Sequence, residues 1–302
     1  MNPSSLIWSL IVVTGMLAAG LFAALGMAAT MNLAVVVFLA SLYGGAKLIE
    51  RRNPPAARLA EAFVQILAFA QVGSYLTYGA TAASPFPMAD GLLDRADALL
   101  GFDWPAWFSW VHAHPIVHIV LSKAYASIPM QLLLLLVYFS FADAERVDEL
   151  VLATILAVLI IVPGMILLPA IGEWSQHGVG IEPWRADILA LRSHTMLTVS
   201  RTQGIVAFPS FHTVAAVLLA NMARARKWFL PVLALNVLMI VSVMSEGAHF
   251  AVDMLSGVAV AWVAIAASRS MLIWCKRGSP VRRTVAVAPT PASAFRTVPI
   301  GS

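Results

Sequence analysis

The chain has 302 residues, 60% of them hydrophobic and only 11% charged, whereas a soluble domain carries about 25% charged residues. Water is therefore excluded as its main solvent, and the net charge of +4 does not indicate nucleic acid, because the basic residues sit in short segments between apolar runs and form no basic face. A single cysteine, Cys275, excludes an intrachain disulfide framework and a cysteine-rich zinc site.

Apolar stretches of about eighteen residues or more predict membrane-spanning helices. In chain order they run Leu6–Ala29, Met31–Leu48, Leu59–Ala83, Ile116–Phe141, Leu150–Ile171, Gln203–Met222, Trp228–Met244 and Phe250–Trp274. Met1 to Ser5 lack the positive n-region of a secretory signal, so the first stretch reads as a retained helix. Only Thr30 and its neighbours part the first two stretches, which form either a tight hairpin or one bent element. The reading is all-α, a polytopic transmembrane bundle of about eight spans. Residues 1–57 form an N-terminal hairpin, 58–275 a six-helix core, and 276–302 a disordered tail rich in Pro, Ala, Thr, Val and Arg.

Alternating the spans gathers most of the nineteen basic residues on one side, including the Arg51-Arg52 pair. The positive-inside rule then makes both termini cytoplasmic and places the two long loops, 84–115 and 172–202, outside with the short turn 245–249. Asp90 to Trp104 spaces leucines and charges at a helical period and leads into tryptophans, the pattern of an interfacial amphipathic helix.

Two segments carry candidate chemistry. In Phe208-Pro209-Ser210-Phe211-His212 a proline opens the sixth span, whose free N–H groups and positive dipole end favour a phosphate; Ser210 and His212 would line that spot. In the turn before the eighth span, His249 and Asp253 lie four apart and share a helix face. The aspartate can hold one imidazole nitrogen and leave the other as a nucleophile. Span alternation puts both histidines at the same membrane level. One histidine as nucleophile and the other as general acid make a phosphoryl-transfer pair that needs no metal or cofactor. The charge on a transferring phosphoryl group calls for cations, and Arg192, Arg201, Arg185 and Lys123 are those on the outer side. Lys123, about two turns inside the fourth span, is expected to be buried beside an anion or partner.

These residues resemble the type 2 phosphatidic acid phosphatase superfamily, and more closely its inositol phosphorylceramide synthase branch. Phe208-Pro209-Ser210-Phe211-His212 is similar to that branch's Phe-Pro-Ser-x-His segment, and His249-Phe250-x-x-Asp253 to its His-aromatic-x-x-Asp segment. The resemblance implies a six-helix phosphatase-like core over Leu59–Trp274, His249 as a phosphohistidine nucleophile, Asp253 as its orienting group, His212 as proton donor to the leaving group, and Ser210 as a phosphate ligand. A family segment of Lys, six residues and Arg-Pro is absent here, so the phosphate-binding cations stay open among Arg201, Arg192 and Lys123. The expected partners are the bilayer and a lipid phosphate, with water or a lipid or sugar hydroxyl as acceptor.

Other polar residues read more plainly. His112, His114 and His118 fit no familiar metal-ligand spacing and are taken as interfacial histidines. Glu173 and His177, four apart in a loop, suggest helix pairing or solvent exposure. The alternative function is a lipid or ion transporter, to which intramembrane Lys123 and Asp253 and the prolines Pro129 and Pro163 point.

Overall fold

The computed structural model describes residues 2–277 as an all-α membrane protein. Of the tail expected at 276–302, Lys276 and Arg277 continue the last helix, and the remainder lies outside the described residues.

The first helix, α1 (Pro3–Ala24), starts where the Asn2 side chain accepts the Ser5 N–H and Pro3 has no N–H that needs an acceptor. It stops before Gly26, whose φ of +65° suits the left-handed residue that closes helices. A two-residue strand, β1 (Ala28–Ala29), separates it from α2 (Leu33–Ile49), so the first two apolar stretches are distinct helices. The central helix α3 (Pro54–Ala83) follows, and both α1 and α2 pack on it. The loop after it folds into α4 (Asp90–Leu99) and α5 (Trp104–Ala113). The expected fourth span is two helices, α6 (Pro115–Tyr125) and α7 (Ile128–Ala142), bent by 46° at their junction; Pro129 lies in the first turn of α7. In contrast, α8 (Ala144–Leu167) runs on through Pro163.

The second long loop carries α9 (Glu173–Gln176), α10 (Arg185–Arg192) and β2 (Thr198–Val199), which pairs in parallel with β1. Then come α11 (Phe211–Met222), α12 (Phe229–Glu246) and α13 (Ala251–Arg277). Five of these helices are long and apolar enough to cross a membrane, six with the bent pair, while α2 and α11 are shorter. The span expected at Gln203–Met222 is corrected: helix begins only at Phe211, and residues 203–210 take no regular structure, with a bend at Phe208-Pro209. Twelve residues of α11 rise about 18 Å, short of a hydrocarbon core of about 30 Å. This helix starts inside the bundle, and so do the side chains at its beginning.

The core lies between α7, α8, α11 and α13, where Phe139, Leu152, Ile155, Leu218 and Ala264 are buried. Phe38, Leu134, Trp262 and Trp274 are exposed, as lipid-facing side chains must be. At the basic end, Glu149 of α8 accepts from Asn221, Arg224 and Arg269, and Arg58 pairs with Asp148. Gly164, near the other end of α8, packs against Pro209; a Cβ there would stand 2.7 Å from the proline ring.

Candidate active site

Two helix beginnings meet at the end of the bundle opposite that charged knot. Ser210 caps α11, its Oγ accepting the Thr213 N–H at 3.3 Å, and its own N–H donates to the Asp253 carbonyl of α13 at 3.2 Å. The helices approach so closely here that a Cβ on Gly257 would lie 2.7 Å from the Ser210 oxygen. Glycine is therefore what lets the two segments touch. Asp253 Oδ2 accepts the Phe250 N–H at 3.0 Å and lies 3.1 Å from His249 Nδ1. The His249 and His212 rings stand edge to face with centroids 6.1 Å apart. Ser210, His249 and Asp253 are all buried. The structure thus brings His249, His212, Asp253 and Ser210 together.

The turn before α13 is held from outside. Asp97 of α4 accepts the N–H groups of Ala251 and Val252 at 2.5 and 2.8 Å, capping α13 from another helix. Asp90, about two turns earlier on the same face, accepts from Ile171 and Gly172 at 2.8 Å each. Glu173 N–H donates to the Ala248 carbonyl at 2.8 Å, and Gly172 at φ +137° passes so near that a Cβ would meet this carbonyl at 2.6 Å. Indole N–H groups of Trp104 and Trp174 reach the carbonyls of Met244 and Ser245. On the inner side, Tyr125 of α6 stacks on His212 with centroids 4.6 Å apart.

Asp97, Asp90 and Tyr125 are the site-supporting residues that sequence reasoning missed. The spacing of Asp90, Asp94 and Asp97 did carry a signal, since these residues share one helical face. That face turns inward onto the turn before α13, while Leu92, Leu99 and Leu100 on the other faces are exposed.

The cations expected on the outer side lie elsewhere. Lys123 is exposed on α6, not buried as expected; two residues from Tyr125, it projects from roughly the opposite side of the helix. Arg192 donates to the carbonyls of Ser84 and Phe86. Arg201 is exposed in the irregular approach to α11, and Arg185 is half-buried on α10. Gln203 in that same approach is anchored, its N–H donating to the Tyr78 hydroxyl at 3.1 Å and its side chain to Asp187 at 2.9 Å. Glu173 is fully buried and lies 2.9 Å from His177 four residues on, so of its two expected readings solvent exposure is corrected and pairing with His177 is what the structure contains.

Burial governs the electrostatics. It pushes the His249 imidazole down to about 4, against an opposing hydrogen bond with the Ala207 carbonyl, so the ring is neutral at pH 7. Burial pushes the Asp97 carboxyl up, against its two backbone donors. Glu173 is pushed up to about 9 by burial and then by Asp94, Asp97, Asp253 and Asp90.

Taken together, a helical membrane bundle and a buried His-Asp pair facing a second histidine at a helix N-terminus make a candidate site for phosphoryl transfer. A sequence model of the PAP2 superfamily matches residues 92–267, and the chain belongs to that superfamily, whose general activity is phosphatase-type phosphoryl transfer. No curated protein and no solved structure matches the chain.

Proposed function

We propose that the protein transfers a phosphoryl-containing group from a lipid phosphoester through a phosphohistidine at His249. The observation that carries this reading is the His249–Asp253 contact at 3.1 Å facing His212 across 6.1 Å. With Nδ1–H held by the Asp253 carboxylate, Nε2 of His249 offers its lone pair to phosphorus. The P–N bond forms as the bond to the lipid oxygen breaks, and His212, carrying a proton stabilised by the bound anion, gives it to that oxygen. An acceptor O–H then attacks the phosphohistidine, returns its proton to His212 and frees His249. Water as acceptor makes the enzyme a lipid phosphatase, and a lipid or sugar hydroxyl makes it a phosphotransferase of the inositol type.

The phosphate rests against the first turn of α11, where helix geometry leaves N–H groups over, with Ser210 beside it. Of the cations named from sequence, Arg201 lies in the segment leading into that turn, and Arg192 and Lys123 would need to swing toward it. A cavity of about 310 Å³ supports a lipid substrate. Ile66, Phe69, Gln203, Phe211, Ala215 and Leu218 are among its lining residues, so it follows α11 inward from the residue next to His212. Its walls are mostly apolar, as an acyl or isoprenyl chain requires. By positive-inside orientation this end of the bundle is extracytoplasmic and the termini are cytoplasmic.

The test is turnover in lipid nanodiscs with phosphatidic acid, isoprenyl and sphingoid phosphates, and phosphatidylinositol with ceramide, read by mass spectrometry. We expect turnover that disappears in His249→Ala, with free phosphate or a new phospholipid naming the acceptor. Equal turnover in wild type and variant, or none in folded protein, would replace this reading with the lipid or ion transporter.

A further inference from the structure

Three side chains converge beside the catalytic turn without serving in it. Asp94 of α4, Glu173 of α9 and His177, the residue that follows α9, hold their ligand atoms within 4.8 Å of one another. His177 Nε2 lies 2.9 Å from Glu173 Oε2 and 3.2 Å from Asp94 Oδ1. Only the Asp94 contact has hydrogen-bond geometry, because an imidazole nitrogen has one hydrogen to give. Glu173 is 0% exposed, and neither of its carboxylate oxygens has a hydrogen-bond donor among the described residues. A buried carboxyl in that condition either keeps a proton of its own or takes a cation.

We propose that Asp94, Glu173 and His177 bind a divalent transition-metal ion, zinc in the first instance. One imidazole and two carboxylates form an oxygen and nitrogen set of the kind zinc takes, with a further position left for water. The ion replaces the single shared hydrogen and satisfies all three groups at once. Asp94 and His177 are half-buried, so the ion can reach the site from the outer solvent, and the more exposed Asp94 can close the remaining gap. The ring of His177 is already set: Trp104 stacks on it at 5.4 Å and 9°, and the Trp104 N–H is fixed to the Met244 carbonyl of α12. Such an ion ties α4 to α9, and through the Glu173 N–H to Ala248 it braces the turn that presents His249. Its role is structural, and the proposal does not depend on the phosphoryl-transfer reading.

Full-length protein in nanodiscs, stripped with chelator and desalted, would be titrated with zinc and its metal content read by mass spectrometry. We expect one retained zinc per chain and a thermal midpoint raised by about 3 °C. Asp94→Asn and His177→Gln, at half-buried positions that leave the fold intact, should each weaken zinc binding at least about tenfold. The pair of exposed His112 and half-buried His118, whose rings lie 4.5 Å apart, is the competing place for adventitious metal. A His112→Gln, His118→Gln double variant should retain the ion. No retained zinc, or zinc lost with that double variant and kept in Asp94→Asn and His177→Gln, would overturn the proposal.

Discussion

At the residue scale, His249 links the site to the stability of the fold. Its folded pKa of about 4 lies below the ordinary imidazole value of 6.5. Between these values the unfolded chain binds a proton that the folded chain refuses, so stability falls as pH falls through this window and is unaffected above it. The loss reaches at most about 3 kcal/mol at 1.36 kcal/mol per unit. Thermal unfolding followed from pH 7.5 to 4.5 should show the midpoint falling below pH 6.5, and His249→Gln should flatten that slope. An unchanged slope in the variant would assign the effect to another group.

At the element scale, α4 works through its acidic face. Asp97 satisfies two N–H groups at the start of α13, and no residue of α13 itself can take over from that direction. Asp97→Ala leaves both donors buried and should lower stability by about 2 kcal/mol, with Asp97→Asn keeping part of the loss back. The variant should also lose turnover, because the displaced turn carries His249. Wild-type activity and midpoint in Asp97→Ala would show that the turn holds its shape from within. The short α11 makes the same point from the other side of the site. An irregular approach anchored by Tyr78 and Asp187 sets the N-terminus of α11 against the start of α13, where the Ser210 N–H meets the Asp253 carbonyl.

For the whole molecule, α8 joins two ends with separate tasks. Glu149 and Gly164 are fifteen residues apart along it, about 22 Å, with the charged knot at one end and the Pro209 contact at the other. Glu149 is buried while its partners Arg224 and Arg269 are partly exposed, so solvent screens part of the loss when it is removed. Glu149→Ala should cost about 1–3 kcal/mol, read as a lower midpoint in detergent, while turnover per folded molecule stays close to wild type. A large fall in turnover at unchanged stability would instead mean that the two ends are coupled.

Hydropathy alone determined the all-α membrane class and the approximate place of each long helix, because a lipid-exposed backbone has no alternative to satisfying its own hydrogen bonds. Motif spacing likewise picked out Ser210, His212, His249 and Asp253, since helix periodicity is a local property. Hydropathy failed at Gln203–Ala207, where an apolar, weakly polar run is not helical: contacts of Gln203 with Tyr78 of α3 and Asp187 of α10 anchor it on another path. The inward turn of Asp90, Asp94 and Asp97, the burial of Glu173, the stacking of Tyr125 on His212 and the exposure of Lys123 were also settled only by tertiary packing. Each depends on which helix lies opposite, and a charge on an amphipathic face reads the same whether that face meets water or another helix's unsatisfied N–H groups.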